Sequence, residues 1–361
     1  MGTTTDTTPG STPEVHASES STAGGPAPDR PIVVGIDGSA EASRALAYAV
    51  RRAERESCPL WLINAVHEIV PVGPMLPLIS GEPLVDVGHQ LLAEAKEVVE
   101  DLSNGTVPVR LQVALGPAID LLVAAAERAR LVVLGHRSTS MLERMFSGST
   151  TFGVVSRAVC PVVSVPHDWV QEADAHRVVA AVDGSRCSAD VLEHAFAVAE
   201  ERDARLEIVH CWRLGPFYSY LVDEWSVQEE WGIQARGIID GLVDAAAHDH
   251  PDVPFELHLE YANIPDTLVR HSAGADLMVM GRHGHGALGS RMIAAVLGSV
   301  TRAVLQHARC PVEVVPPRPP MEASREPAVT AQAQASPSDS PLSPPVAAEP
   351  LGGLSTGGTS S

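Results

Sequence analysis

Two short runs carry residue types that can do chemistry, and each occurs twice. Asp37-Gly38-Ser39 closes the apolar run 31–36, and Asp183-Gly184-Ser185 closes a matching run at 177–182. A carboxylate at the end of a buried strand can accept hydrogen bonds from a ligand amine or a ribose hydroxyl. Asp and Ser at that place can equally cap the helix that follows, and the residues alone leave both readings open. The second run is Gly135-His136-Arg137-Ser138, followed after nine residues by Gly148-Ser149-Thr150-Thr151. Its counterpart is Gly281-Arg282-His283-Gly284, followed after thirteen residues by Gly298-Ser299-Val300-Thr301. A Gly-Ser-Thr run opening a helix offers unpaired N–H groups, hydroxyls and the positive end of the helix dipole, which together suit a phosphate. The competing reading is a capped helix after a surface loop.

These pairs belong to an internal duplication. Asp37 to Asp183 and Gly135 to Gly281 are each 146 residues apart, while Gly148 to Gly298 and Cys160 to Cys310 are 150 apart. A unit of about 140 residues is therefore used twice. The four extra residues fall inside the second phosphate-type loop, within 290–297. They predict about one added helical turn there.

The elements that must position these residues alternate. In the first unit the pattern predicts strands at 31–36, 60–66, 107–114, 131–134 and 161–165. Helices are predicted at 40–56, 84–103, 118–129 and 149–158. Strands recur near 177–182, 205–211, 254–259, 277–280 and 311–315. Helical crossovers between strands that are apolar on both faces imply an α/β fold: two tandem domains, each a five-stranded parallel open sheet with helices on both faces, Rossmann-like. Ligands in such sheets sit beyond the carboxyl ends of the strands, which is where the Asp and Gly runs lie. The expected organisation is a tail at 1–29, a domain at 30–166, a linker at 167–176, a domain at 177–316 and a tail at 317–361. Both tails are rich in Ser, Thr, Pro, Gly and Ala and are expected to be disordered.

The Asp-Gly-Ser turn, the glycine after the fourth strand, the Gly-Ser before the last helix and the Cys-Pro-Val entering the last strand together resemble a universal stress protein domain. The resemblance covers each unit along nearly its whole length, so the chain resembles a tandem-domain universal stress protein of the nucleotide-binding branch. It implies an adenine nucleotide alpha hydrolase-like fold and a stress-response regulatory protein. It also implies ATP, with Mg2+, as the ligand of G-x2-G-x9-G-[ST] loops. Carried over, the motif falls on Gly135, Ser138, Gly148 and Ser149, with Thr150 beside them, and on Gly281, Gly284, Gly298, Ser299 and Thr301. Asp37 and Asp183 would hold the adenosine end. By the same resemblance Val66 and Cys211, ending the second strand of each unit, would meet adenine through their backbone. The first unit keeps the spacing but has Ser138 for the second glycine; the second keeps both glycines but not the spacing. Two unequal sites are expected, with the first unit favoured. The alternative is an interaction module of the same family that has lost nucleotide binding.

Composition narrows the rest. A formal charge of −20 argues against a protein that works by neutralising nucleic-acid phosphates. The single lysine, Lys96, removes the Walker A loop and Schiff-base chemistry. The five cysteines form no CxxC pair and read as small buried hydrophobes of a cytoplasmic protein. Gly284-His285-Gly286-Ala287-Leu288-Gly289 spells GxGxxG, but it trails a fourth strand and has no acidic residue ending a following strand about twenty positions on. His283 and His285 lack a third ligand for a metal. Trp212, Trp225 and Trp231, with Phe217, Tyr218 and Tyr220, suggest a lid or a domain contact. No nucleophile–base pair recurs, so catalysis is expected to be absent or limited to weak ATP hydrolysis. The partners expected are an adenine nucleotide, the other domain of the same chain and a second copy in a homodimer, with neither nucleic acid nor membrane.

Overall fold

The computed structural model describes residues 30–66, 81–136, 149–170, 175–213, 224–284 and 297–318. Its first half runs β1 (Ile32–Gly35), α1 (Ala40–Glu56), β2 (Leu60–Val66), α2 (Gly81–Ser103), β3 (Val109–Leu115), α3 (Ala118–Ala126), β4 (Leu131–Gly135), α4 (Ser149–Arg157) and β5 (Val162–Val165). The second half repeats this order. It runs β6 (Arg177–Val182), α5 (Cys187–Glu201), β7 (Arg205–Trp212), α6 (Glu224–Asp249), β8 (Phe255–Tyr261), α7 (Ile264–Ser272), β9 (Leu277–Gly281), α8 (Ser299–His307) and β10 (Val312–Val315). The expected elements are present, with ends displaced by a few residues, as helix fraying and strand edges allow.

Strand order is β3-β2-β1-β4-β5-β10-β9-β6-β7-β8. Each half is thus a parallel sheet of order 3-2-1-4-5. The two halves join through β5 and β10, which pair antiparallel with Val163 opposite Glu313. Pairing two edge strands removes both from solvent. The apolar clusters on the two faces of the sheet each draw on both halves, one containing Ile32 and Val178, the other Val33 and Val179. Central strands β1 and β4 are buried along almost their whole length, whereas every residue of outer strand β3 is half-buried or exposed. This is why the inner strands read as continuous apolar runs.

The reversal between β1 and β4, and between β6 and β9, opens a crevice at the carboxyl ends of the strands in each half. The turn leaving β1 and the turn leaving β6 each place glycine, Gly38 and Gly184, at φ 78°. That left-handed conformation is cheap only for glycine.

Candidate functional site

In the second half the crevice is a cavity of about 940 Å³. Its floor is apolar, made by Val191, Val209, Cys211, Leu268 and Met280. Its rim carries Asp183, His210, His283, Ser299, Thr301 and Arg302. Asp183 is held by its own turn: Oδ1 accepts from the Ser185 N–H at 2.9 Å and from Ser188 Oγ at 3.1 Å. Ser188 Oγ in turn accepts from the Asp183 and Gly184 N–H groups. The other carboxylate oxygen faces Gly284, where a Cβ would lie 2.2 Å from Oδ2. Any side chain at 284 would collide with the carboxylate, so only glycine lets this backbone lie against Asp183.

Gly281 ends β9, and Gly298 stands immediately before α8. The Gly298 N–H donates to the Arg282 carbonyl at 3.2 Å, and Thr301 Oγ1 donates to the Gly281 carbonyl at 3.0 Å. The first half makes the same tie, Thr151 Oγ1 to the Gly135 carbonyl at 3.2 Å. Both ends of the second loop therefore stay in register despite the four added residues. The expected extra turn, with 285–296, lies outside the described residues. Thr301, expected as a phosphate ligand, spends its hydroxyl on this tie, leaving its N–H at the helix start. Its counterpart is Thr151, which lies in the Gly-Ser-Thr-Thr run but outside the motif positions carried over.

Asp37 also braces its own turn: Oδ1 accepts from the Ser39 N–H at 3.0 Å, and Ser39 caps α1 by accepting from the Ala42 N–H at 3.1 Å. Gly135 is pressed against α1, where a Cβ would lie 2.4 Å from the Glu41 carbonyl oxygen. Ser138 and Gly148 lie outside the described residues. Ser149 begins α4, with Thr150 half-buried behind it.

Register corrects one pairing. Leu60 of β2 stands opposite Ile32, and Leu206 of β7 opposite Val178, so Val66 is equivalent to Trp212 and Cys211 to Ala65. The β2 and β7 ends behave accordingly: the Val66 carbonyl accepts from Gly116, and the Trp212 carbonyl from Ala262. Asn64 and His210 are likewise paired, binding the carbonyls of Ile36 at 2.7 Å and Val182 at 3.0 Å. His210 and Trp212 stack at 5.8 Å and line the cavity. Sequence reasoning assigned Trp212 to a lid or a domain contact and passed over His210. A polar residue inside the apolar β7 run was the available signal.

The residue after the β9 glycine reaches across the domain boundary. Arg282 donates to the Ala158 carbonyl at the end of α4, and burial pulls its pKa down. Its counterpart His136 is buried edge-on to Phe152, its pKa lowered by burial and by His167 and His307. Arg302 lies over the same Phe152 ring at 5.2 Å. The second cleft is thus partly braced by the first domain.

Burial pushes the thiols of Cys160 and Cys310 up to about 12 and that of Cys211 to about 11. At neutral pH they are protonated core residues. Among the described residues no group of three His, Cys, Asp or Glu side chains could hold a metal ion. The GxGxxG run follows β9, the fourth strand of its half, as the sequence order required; its residues from His285 on lie outside the described set. Also among the described residues, no helix is long and apolar enough to cross a membrane.

Comparison with known proteins agrees with the duplicated architecture. The model of the universal stress protein family matches twice, over residues 29–166 and 175–316. A universal stress protein of Mycolicibacterium smegmatis is 30% identical over 293 residues, covering 80% of this chain and 97% of the relative. One from Mycobacterium tuberculosis H37Rv is 30% identical over 290 residues, covering 78% and 96%. Among solved structures, a universal stress protein from Archaeoglobus fulgidus superposes with a TM-score of 0.58 at 18% identity, covering 79% of this chain and 96% of that one.

Proposed function

The chain belongs to the universal stress protein family, and on that premise we propose that its second domain binds ATP or a related adenine nucleotide. One observation carries the reading: a cavity of about 940 Å³ with an apolar floor, bounded by a strand-end carboxylate and a Gly-Ser helix start. That volume is at the upper end of small-molecule sites, roughly 300–1,000 Å³, and the polarity is divided as a nucleotide requires.

Adenine would lie against Val209, Cys211 and Met280 with Trp212 at its edge. Asp183 would accept from the ribose hydroxyls. Phosphates would meet the N–H groups of Ser299, Val300 and Thr301, where the helix dipole favours negative charge, with His283 and Arg302 on the rim. Mg2+ would travel with the phosphates, because the described side chains build no cation site of their own. In the first domain the same chemistry would fall to Asp37, Val66, Gly135, Gly148 and Ser149.

Titration calorimetry with ATP on the intact chain tests the proposal. Saturable heat at micromolar to low millimolar nucleotide is expected; its absence would support the second reading, an interaction module without nucleotide. That reading draws on Asp183 being engaged by Ser185 and Ser188.

A further inference from the structure

Phe152 and Arg302 occupy the same place in the two copies, each in the helix that follows the conserved spacing from Gly148 or Gly298. They touch across the domain boundary: the Arg302 guanidinium carbon lies 5.2 Å from the centre of the Phe152 ring. The ring is fixed from its own side. It packs against the apolar cluster containing Val33 and Val179, and His136 meets it edge-on at 5.6 Å. An aromatic in one copy and a cation in the other thus form a stack that two identical copies could not form.

Arg302 also lines the cleft of the second domain, whose wall runs along α8 from Ser299 past Arg302 to Gln306. The cavity therefore continues beyond the helix start. Side chains of a helix lean toward its amino end, so Arg302 covers the turn that holds Gly298 and Ser299. Stacking on a ring uses the flat face of a guanidinium and leaves its N–H fork in the plane, where it matches phosphate oxygens. An exposed arginine ordinarily gives up rotamer freedom when it binds; a ring beneath it lowers that cost in advance. The first copy, with Phe152 at this position, has no guanidinium to offer there.

Resting on the nucleotide reading of this cleft, we propose that Arg302 reads the terminal phosphates and that Phe152, from the other domain, is the positioning residue that holds it in place. The α-phosphate would take the N–H groups at the start of α8, and the β- and γ-phosphates the guanidinium fork. The second cleft then prefers ATP to AMP, and the preference depends on a side chain of the first domain.

Titration calorimetry of the intact chain with ATP and with AMP tests this on wild type, Arg302→Gln, Phe152→Leu and Phe152→Tyr. Arg302 is exposed, so its replacement leaves the core intact. Arg302→Gln should weaken ATP about tenfold, the scale of one hydrogen bond to a charged group, and AMP by less than about twofold. Phe152→Leu keeps the apolar packing but removes the ring face, and should weaken ATP about threefold with AMP unchanged. Phe152→Tyr keeps the face and should bind ATP as wild type does. ATP and AMP weakened alike would mark purely structural roles and overturn the proposal. So would variants that keep the wild-type preference, or Phe152→Tyr binding ATP no better than Phe152→Leu. A wild type that binds ATP no more tightly than AMP overturns this inference alone; one that binds neither overturns the nucleotide reading with it.

Discussion

Two glycines that look alike in sequence differ in what surrounds them. A Cβ at Gly135 would lie 2.4 Å from the Glu41 backbone, whereas one at Gly284 would lie 2.2 Å from the Asp183 carboxylate. The first clash is with a helix that cannot yield locally, the second with a side chain at the cleft mouth. Gly135→Ala should therefore destabilise the fold by about 1–3 kcal/mol, as overpacking does, measured by urea unfolding. Gly284→Ala should leave unfolding nearly unchanged and weaken ATP by about tenfold, the loss of one hydrogen bond to a charged group. The motif pointed to both positions for one reason, phosphate approach. Only the packing of α1 against β4 separates them, and sequence spacing carries no record of it.

Between the strand ends and the last helices, Thr151 and Thr301 do the positioning. Each hydroxyl ties the start of a helix to the carbonyl of a strand-ending glycine. Thr301→Val should cost about 1 kcal/mol of stability, a typical net hydrogen bond, and weaken ATP as well, since α8 would no longer be fixed to β9. Thr151→Val should cost about the same stability without affecting a nucleotide bound in the second domain; paired denaturation and calorimetry on the two variants check this. Most elements were legible because buried parallel strands are continuous apolar runs and their helices are amphipathic. The equivalence of Val66 with Trp212 was legible too, since both lie at the 146-residue offset, but a tryptophan in place of a valine hides the match, and strand register makes it plain. The four added residues predict an extra turn in the thirteen-residue loop, and the Thr301 tie holds its ends as Thr151 holds those of the nine-residue loop.

The joining of the halves was the least legible feature, because an antiparallel contact between domains leaves no spacing in the sequence. One sign was present: Glu313 interrupts the apolar β10. It is almost fully buried, bonded to His194 at 2.6 Å and 3.6 Å from Arg52, which also pairs with Glu56 in its own helix. Burial alone would raise the Glu313 pKa, but Arg52 and His194 outweigh it and hold it at about 2. For Arg52 burial acts to lower the pKa, and Glu313 and Glu56 reverse that. Arg52→Met removes the main counter-charge of the buried Glu313, leaving its bond to His194, and should destabilise the folded chain by about 3 kcal/mol in urea unfolding at pH 7. Since the folded carboxylate is the stronger acid, its contribution is full above the ordinary glutamate range and is lost as pH falls toward 2. The stability gap between wild type and Glu313→Gln should close over that window. At this scale the account makes one claim above the others: two domains of one fold, with the nucleotide in the second. Photolabelling of the full chain with an azidoadenine analogue of ATP, followed by peptide mapping, tests that claim most directly. Label on the peptide holding Cys211 and Trp212, displaced by excess ATP, is the predicted result; label confined to the first domain, or unaffected by ATP, would contradict it.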